Sequence, residues 1–218
     1  MNILAFDTST EKFSISILKN NKVILNLSKI LNKTYSKFLI PILEKSLKKS
    51  KLNVKEINHI LISLGPGSFT GVRIGIAAAK GLAIPYKIKI SGFNNMDILA
   101  NSINDNIKKK KILTIINSKK KDYYFQIFDS KKKPINKTSF FSINNLPSFF
   151  FKENVIFSGD LDIQLVKEIK KKKKNIFIYK RKLANASILI NLIKKKDHIN
   201  LIRDLNPIYV YKHYAKKN

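Results

Sequence analysis

Residues Gly65 to Gly75 read GPGSFTGVRIG, and no other segment restricts the fold of this chain as much. Apolar Ile60, Leu61 and Ile62 precede it, and a small-residue run from Ile74 to Leu82 follows. The pattern predicts a strand that enters a turn built on Gly65, Pro66, Gly67 and Gly71 and leaves it as a helix. The first N–H groups of a helix have no partner inside it. Together with the positive end of the helix dipole they suit an anion or the backbone of a partner. The plainer reading is a tight strand-to-helix corner, because glycine patterns of this kind recur by chance. Gly71, Gly75 and Ala79 repeat every fourth residue and make a smooth ridge on the helix. Such a ridge serves either packing within the domain or a docking face for another subunit.

The rest of the chain alternates strands and helices. Asn2–Asp7 and Phe13–Leu18 read as strands joined by the polar turn Thr8, Ser9, Thr10 and Glu11. Val23, Leu25 and Leu27 alternate as a third strand. Phe38 to Leu47 has helical spacing, with Pro41 tolerable in a first turn. Ile88–Ser91 reads as a strand and Met96–Ile103 as a helix. The polar stretch Asn104–Lys111 is the expected domain boundary, which gives halves of 1–104 and 105–218. The second half opens as the first does, with strands at Lys111–Asn117 and Asp122–Phe128. Asp7 and Asn117 then hold equivalent places. Val155–Phe157 reads as a strand, and Asp160 is the expected cap of a helix with Leu161, Leu165, Val166 and Ile169 on its inner face. Ile176–Tyr179, a helix over Ala186–Ile193 and an extended end from Pro207 to Tyr211 complete the order. It predicts an α/β protein of two related halves.

The chain has 218 residues and no cysteine, which excludes disulfides, thiolate catalysis and Cys-based metal sites and fits a cytosolic protein. No apolar run reaches membrane-spanning length, no signal-peptide pattern opens the chain, and no membrane role is expected. Formal net charge is +29. The basic residues are overwhelmingly lysine, with arginine only at Arg73, Arg181 and Arg203. Phosphate recognition favours arginine as well, since its planar fork grips phosphate bidentately. The Lys, Asn and Ile content therefore reads chiefly as compositional bias, and the lysine runs as solvated element ends. The charge still attracts RNA non-specifically, in a salt-dependent way. The aromatics of the second half, such as Tyr123, Phe125, Phe141 and Phe150, read as core.

Asp7, Thr8 and Ser9 form a candidate phosphate turn, because a carboxylate at the end of the first strand can hold a hydrated cation while the turn approaches phosphate. The competing reading is a simple hairpin cap. That turn has no glycine, and Asn117 removes the second carboxylate. His59, His198 and His213 lack metal-ligand spacing. No nucleophile elbow or phosphate-loop lysine is present. The outline is that of a nucleotide fold without a self-sufficient active site.

Ile3–Glu11, the GPGSFTGVRIG stretch, Gly81-Leu82-Ala83 and Pro207-Ile208-Tyr209 together resemble the bacterial TsaB (YeaZ) family, in order along the chain. The resemblance implies a duplicated actin-like (hexokinase-like, RNase H-like) fold. It implies a non-catalytic accessory subunit in forming threonylcarbamoyladenosine next to the tRNA anticodon. The catalyst would be the paralogue TsaD, joined by the ATPase TsaE, with tRNA bound through the complex and a homodimer formed when the chain is alone. No cofactor is required by the chain itself, and ATP or ADP belongs to the complex. Carried over by position, pairing would use Phe38, Leu39, Ile42 and Leu43 on one helix. On the other it would use Gly65, Pro66, Gly67, Ser68, Phe69, Thr70, Gly71, Arg73, Gly75 and Ala79. Asn117 stands where the family usually has an acid and Lys121 where it usually has a glycine. The alternative from the same residues is an independent small-molecule kinase or ATPase.

Overall fold

A hairpin opens each of two sheets. The computed structural model describes residues 1–30, 35–103, 110–118, 121–152, 154–179, 183–194 and 202–210. In the first unit β1 (Ile3–Asp7) pairs antiparallel with β2 (Lys12–Lys19), and β3 (Lys22–Ile30) pairs antiparallel with the outer side of β2. β4 (His59–Ser63) lies parallel to β1, and β5 (Lys89–Phe93) parallel to β4, giving the order β3-β2-β1-β4-β5. Every residue of β1 and β4 is buried, as expected of central strands covered on both faces. α1 (Tyr35–Lys49) and α2 (Phe69–Ala83) pack against each other, and α2 against β4 and β5. α1 begins earlier than expected, so Pro41 lies beyond its first turn, at an exposed position. α3 (Asn95–Asn101) follows β5.

The second unit repeats this plan. β6 (Lys111–Asn117) and β7 (Asp122–Phe128) are as expected, but β8 (Ser139–Ser142) and the single turn α4 (Phe149–Lys152) are not legible in the sequence. Both are shorter than a periodic signal needs. β9 (Val155–Gly159), α5 (Ile163–Lys172) and β10 (Phe177–Ile178) complete the order β10-β9-β6-β7-β8. Read from the other edge, this matches the first sheet strand for strand, including the sense of each pairing. The fold is thus a duplicated α/β architecture. The aromatics form its second core. Tyr123 stacks on Phe141 at 5.3 Å between centroids, and the Phe150 edge meets Phe141 and Phe157.

The boundary expected from residue 104 lies outside the described residues. The division itself differs from two consecutive halves. One compact unit takes Met1–Ile98 and Ala184–Pro207, and the other Leu99–Leu183 and the chain from Ile208. α6 (Ala186–Lys194) belongs to the first because Ala186, Leu189 and Ile190 bury against Ile3, Ala5, Leu18 and Leu61. Ser14 Oγ accepts the Ala186 N–H at 2.9 Å and satisfies one open donor at the helix start. α5 is capped by Asp162, not Asp160, because the helix starts at Ile163. Its inner face of Leu161, Leu165 and Ile169 is as expected.

Candidate functional site

The β1–β2 turn and the glycine loop build one polar cluster. Asp7, Thr8 and Ser9 are all buried. Asp7 Oδ1 accepts the Ser9 N–H at 2.8 Å, the Ser9 hydroxyl at 2.6 Å and the Ser63 hydroxyl. Asn95 Nδ2 donates to Ser9 Oγ at 2.7 Å and to Pro66 O at 2.9 Å, while its own N–H donates to Gly65 O at 2.8 Å. The cluster therefore ties β1, the end of β4, the glycine loop and the start of α3 together. Burial pushes the Asp7 carboxyl above the usual carboxylate range, against the three hydrogen bonds that favour its charged form. Asp7 Oδ2 is buried and takes no hydrogen bond in this cluster.

The glycines explain why the turn is closed. A Cβ at Gly67 would lie 2.3 Å from Ser9 O, one at Gly71 2.0 Å from Thr8 O, and one at Gly75 2.3 Å from Thr8 Oγ1. The N-terminal half of α2 is thus laid directly on the Thr8–Ser9 backbone. Ser68 N donates to Ser9 O at 2.6 Å, and Ser68 Oγ caps the helix by accepting the Gly71 N–H. Thr8 Oγ1 donates to Gly71 O at 2.7 Å.

Two expectations are corrected here. Asp7, Thr8 and Ser9 do not form an open phosphate turn, because α2 occupies the space in front of them. The three donors to its single carboxylate are neutral and all meet Oδ1. Gly71, Gly75 and Ala79 are not a docking ridge. All three are buried, and the two glycines pack on Thr8 inside the domain. Leu39 and Leu43 of α1 are likewise core, as are Gly65 and Pro66, while Ile42 and Gly67 are half-buried.

The residues left at the surface are Phe38 on α1, the cap Ser68, and Phe69, Thr70 and Arg73 on α2. The Arg73 guanidinium stacks over the Phe69 ring at 3.7 Å, with Phe69 46 % exposed. Ala77 continues the same face one turn on. Ile84, 74 % exposed, and Tyr86 are also at the surface just past the helix end, as is Ile40 on α1. Sequence reasoning passed over Ala77, Ile84 and Tyr86. The spacing 69, 73, 77 was the available signal, but the glycine ridge two residues on, at 71, 75 and 79, masked it.

His59 is structural, as the sequence suggested. It is buried with Nε2 2.9 Å from Ser91 Oγ, and burial with Lys89 nearby lowers its pKa to about 4. His198 and His213 lie outside the described residues, as does Arg181. Among the described residues no three His, Cys, Asp or Glu side chains are grouped to hold a metal, and no helix is long and apolar enough to cross a membrane.

In the second unit Asn117 Nδ2 donates to Asp162 Oδ2 at 2.9 Å, and the Tyr123 hydroxyl donates to the same oxygen at 2.6 Å. Burial, with the Asp162 hydrogen bond and charge, pushes the Tyr123 phenol upward. Lys121 has φ +67°, the left-handed conformation that glycine adopts without penalty.

A family model described as TsaD, tRNA N6-adenosine threonylcarbamoyltransferase, matches residues 27–186, well over half of the chain. A curated relative from Buchnera aphidicola (of Schizaphis graminum), a tRNA threonylcarbamoyladenosine biosynthesis protein TsaB, is 39 % identical over 54 % of this chain and 55 % of its own length. The chain spans little more than half the length of the curated relatives it matches. The solved structure of YeaZ from Pseudomonas aeruginosa superposes with a TM-score of 0.76 at 18 % identity, covering 95 % of this chain and 99 % of that one. A Bacteroides thetaiotaomicron protein described as having an actin-like ATPase fold superposes with a TM-score of 0.50 at 15 % identity, covering 88 % of this chain and 95 % of that one.

Proposed function

The chain belongs to the TsaB (YeaZ) branch of the tRNA N6-adenosine threonylcarbamoyltransferase family, and from that premise we propose that it acts as an accessory subunit rather than a catalyst. It pairs with the catalytic paralogue TsaD and, with the ATPase TsaE, supports threonylcarbamoyl transfer to N6 of the tRNA adenosine beside the anticodon. The reading places the chain in the cytoplasm, with tRNA and ATP or ADP engaged by the complex. When the paralogue is absent the same face closes a homodimer.

One observation carries this reading. The face of α2 that carries Phe69, Arg73 and Ala77 remains at the surface, and Ile84 and Tyr86 are exposed just past the helix end. Exposed apolar groups beside an arginine are typical of protein interfaces. A second helix layer can approach closely over Ala77, where the side chain is a single methyl. Against an independent kinase or ATPase stands the Asp7 cluster, whose carboxylate is buried inside the fold with Oδ1 committed to Ser9 and Ser63.

The test is association of the full chain with purified TsaD, followed by sedimentation. Ala77→Arg puts a long cation at the centre of the face without touching the core. It is expected to weaken pairing at least about 100-fold, the loss of a central contact of about 3 kcal/mol, with unchanged thermal unfolding. Pairing that survives Ala77→Arg in a folded protein overturns the assignment of this face.

A further inference from the structure

We propose that one end of the second unit's sheet is a binding surface for RNA, separate from the helix face above and not dependent on it. Three lysine runs far apart in the sequence meet there. β6, β9 and β10 are parallel and so begin at one end of the sheet, and antiparallel β7 finishes at that end. Lys110 and Lys111 lead into β6. Lys131–Lys133 form the turn after β7, pinned by Asp129 Oδ1, which accepts the Lys131 and Lys133 N–H groups at 2.9 and 2.8 Å. Lys170–Lys174 close α5 and run toward β10. These runs span the width from β10 to β7, about 14 Å at the usual spacing of strands.

A lysine-rich helix end is ordinary by itself, since cations complement the dipole there. That accounts for Lys170–Lys172, but not for two other runs brought to the same end by strand order. Nor does it account for Phe177. This ring opens β10 at the same end, is 51 % exposed, and has Lys110 Nζ 5.1 Å from its centroid. Lys110 reaches it from β6, across β9. Phe177 is thus an exposed stacking face within a field of cations, the combination that binds single-stranded nucleic acid. Asp129 is taken up by its turn, and Glu168 pairs with Lys171 at 2.6 Å. β10, at two residues, is too short an edge to capture a peptide by strand addition.

The experiment measures binding of the full chain to a single-stranded RNA oligonucleotide across a salt series. Lys170→Gln/Lys172→Gln/Lys174→Gln is compared with Lys22→Gln/Lys55→Gln/Lys80→Gln, which removes equal charge from the first unit. The patch variant is expected to lose about ten-fold or more in affinity and to flatten the log–log salt slope by about 2, with the control changing by less than about two-fold. Phe177→Ala is expected to weaken binding about ten-fold, and Phe177→Tyr to retain it. Equal losses in the two triple variants would overturn the proposal in favour of diffuse charge. So would Phe177→Ala binding as wild type, or polyglutamate competing as well as RNA, which would point to an acidic protein instead. Thermal unfolding of each variant establishes that the fold is intact.

Discussion

The two units share one strand order, yet the turn at the heart of each is built differently. In the first, Asp7 is buried with three donors on one oxygen, and α2 lies on the turn through glycines. In the second, half-buried Asn117 shares Asp162 with Tyr123, and the turn ends at Lys121 in a left-handed conformation. Counting back four residues from Asp7 and from Asn117 pairs His59 on β4 with Phe157 on β9 through the strand registers. At this position the first unit buries a polar side chain where the second has an apolar one, and one position on the order is reversed, with Leu4 and Ile60 in the first matched by Thr114 and Ser158 in the second. Duplication preserved the hydrogen-bonded ladder and let the chemistry of the turns diverge. The closed first turn buries the glycine side of α2 and leaves Phe69, Arg73 and Ala77 exposed on the other.

Exchanging features between the units breaks this comparison most directly. Ser9→Lys puts into the first turn the residue type that ends the second. Ser9 is buried between Asp7 and Asn95, so an ammonium there is expected to cost about 4 kcal/mol or more, read as loss of the folded baseline in urea. A stable, native Ser9→Lys protein would mean that the turn opens easily.

Asp7 separates structure from catalysis. Asp7→Ala strands the Ser9 and Ser63 donors and is expected to cost about 2–4 kcal/mol in denaturant unfolding. Asp7→Asn keeps an acceptor oxygen, is expected to cost less than about 1.5 kcal/mol, and should leave accessory activity in place. Loss of that activity in folded Asp7→Asn would restore a chemical role for the carboxyl.

The smallest effect concerns His59. Its folded pKa of about 4 lies below the ordinary value of 6.5, so between these values the unfolded chain binds the extra proton. Stability is therefore full above pH 6.5 and falls as the pH drops toward 4. His59→Phe, which copies the second unit, should flatten that stretch of a stability-versus-pH curve. An unchanged slope would place the dependence on other groups.

Much of the fold was legible in the residues. Alternation at Phe13, Ile15 and Ile17 and the repeated hairpin at Lys111–Phe128 specify strands that the structure contains. β8 and α4 escaped because four residues carry no period; α6 was legible as a helix, but nothing local says which sheet it will cover. The site was legible as a place but not as an orientation. A glycine ridge looks the same in sequence whether it meets a partner or the chain's own Thr8. What decides it is the three-dimensional path of the β1–β2 turn, a long-range pairing that no window around Gly71 contains. Likewise, the lysine runs look like separate solvated ends until strand order brings three of them together.

The most direct test of the central claim is threonylcarbamoyladenosine formation on tRNA, reconstituted from TsaD, TsaE and the other components with and without this chain. The account requires product with the wild-type chain and with Asp7→Asn, and little or none without the chain or with Ala77→Arg. Equal product in the absence of the chain, from components shown to be active, would contradict it.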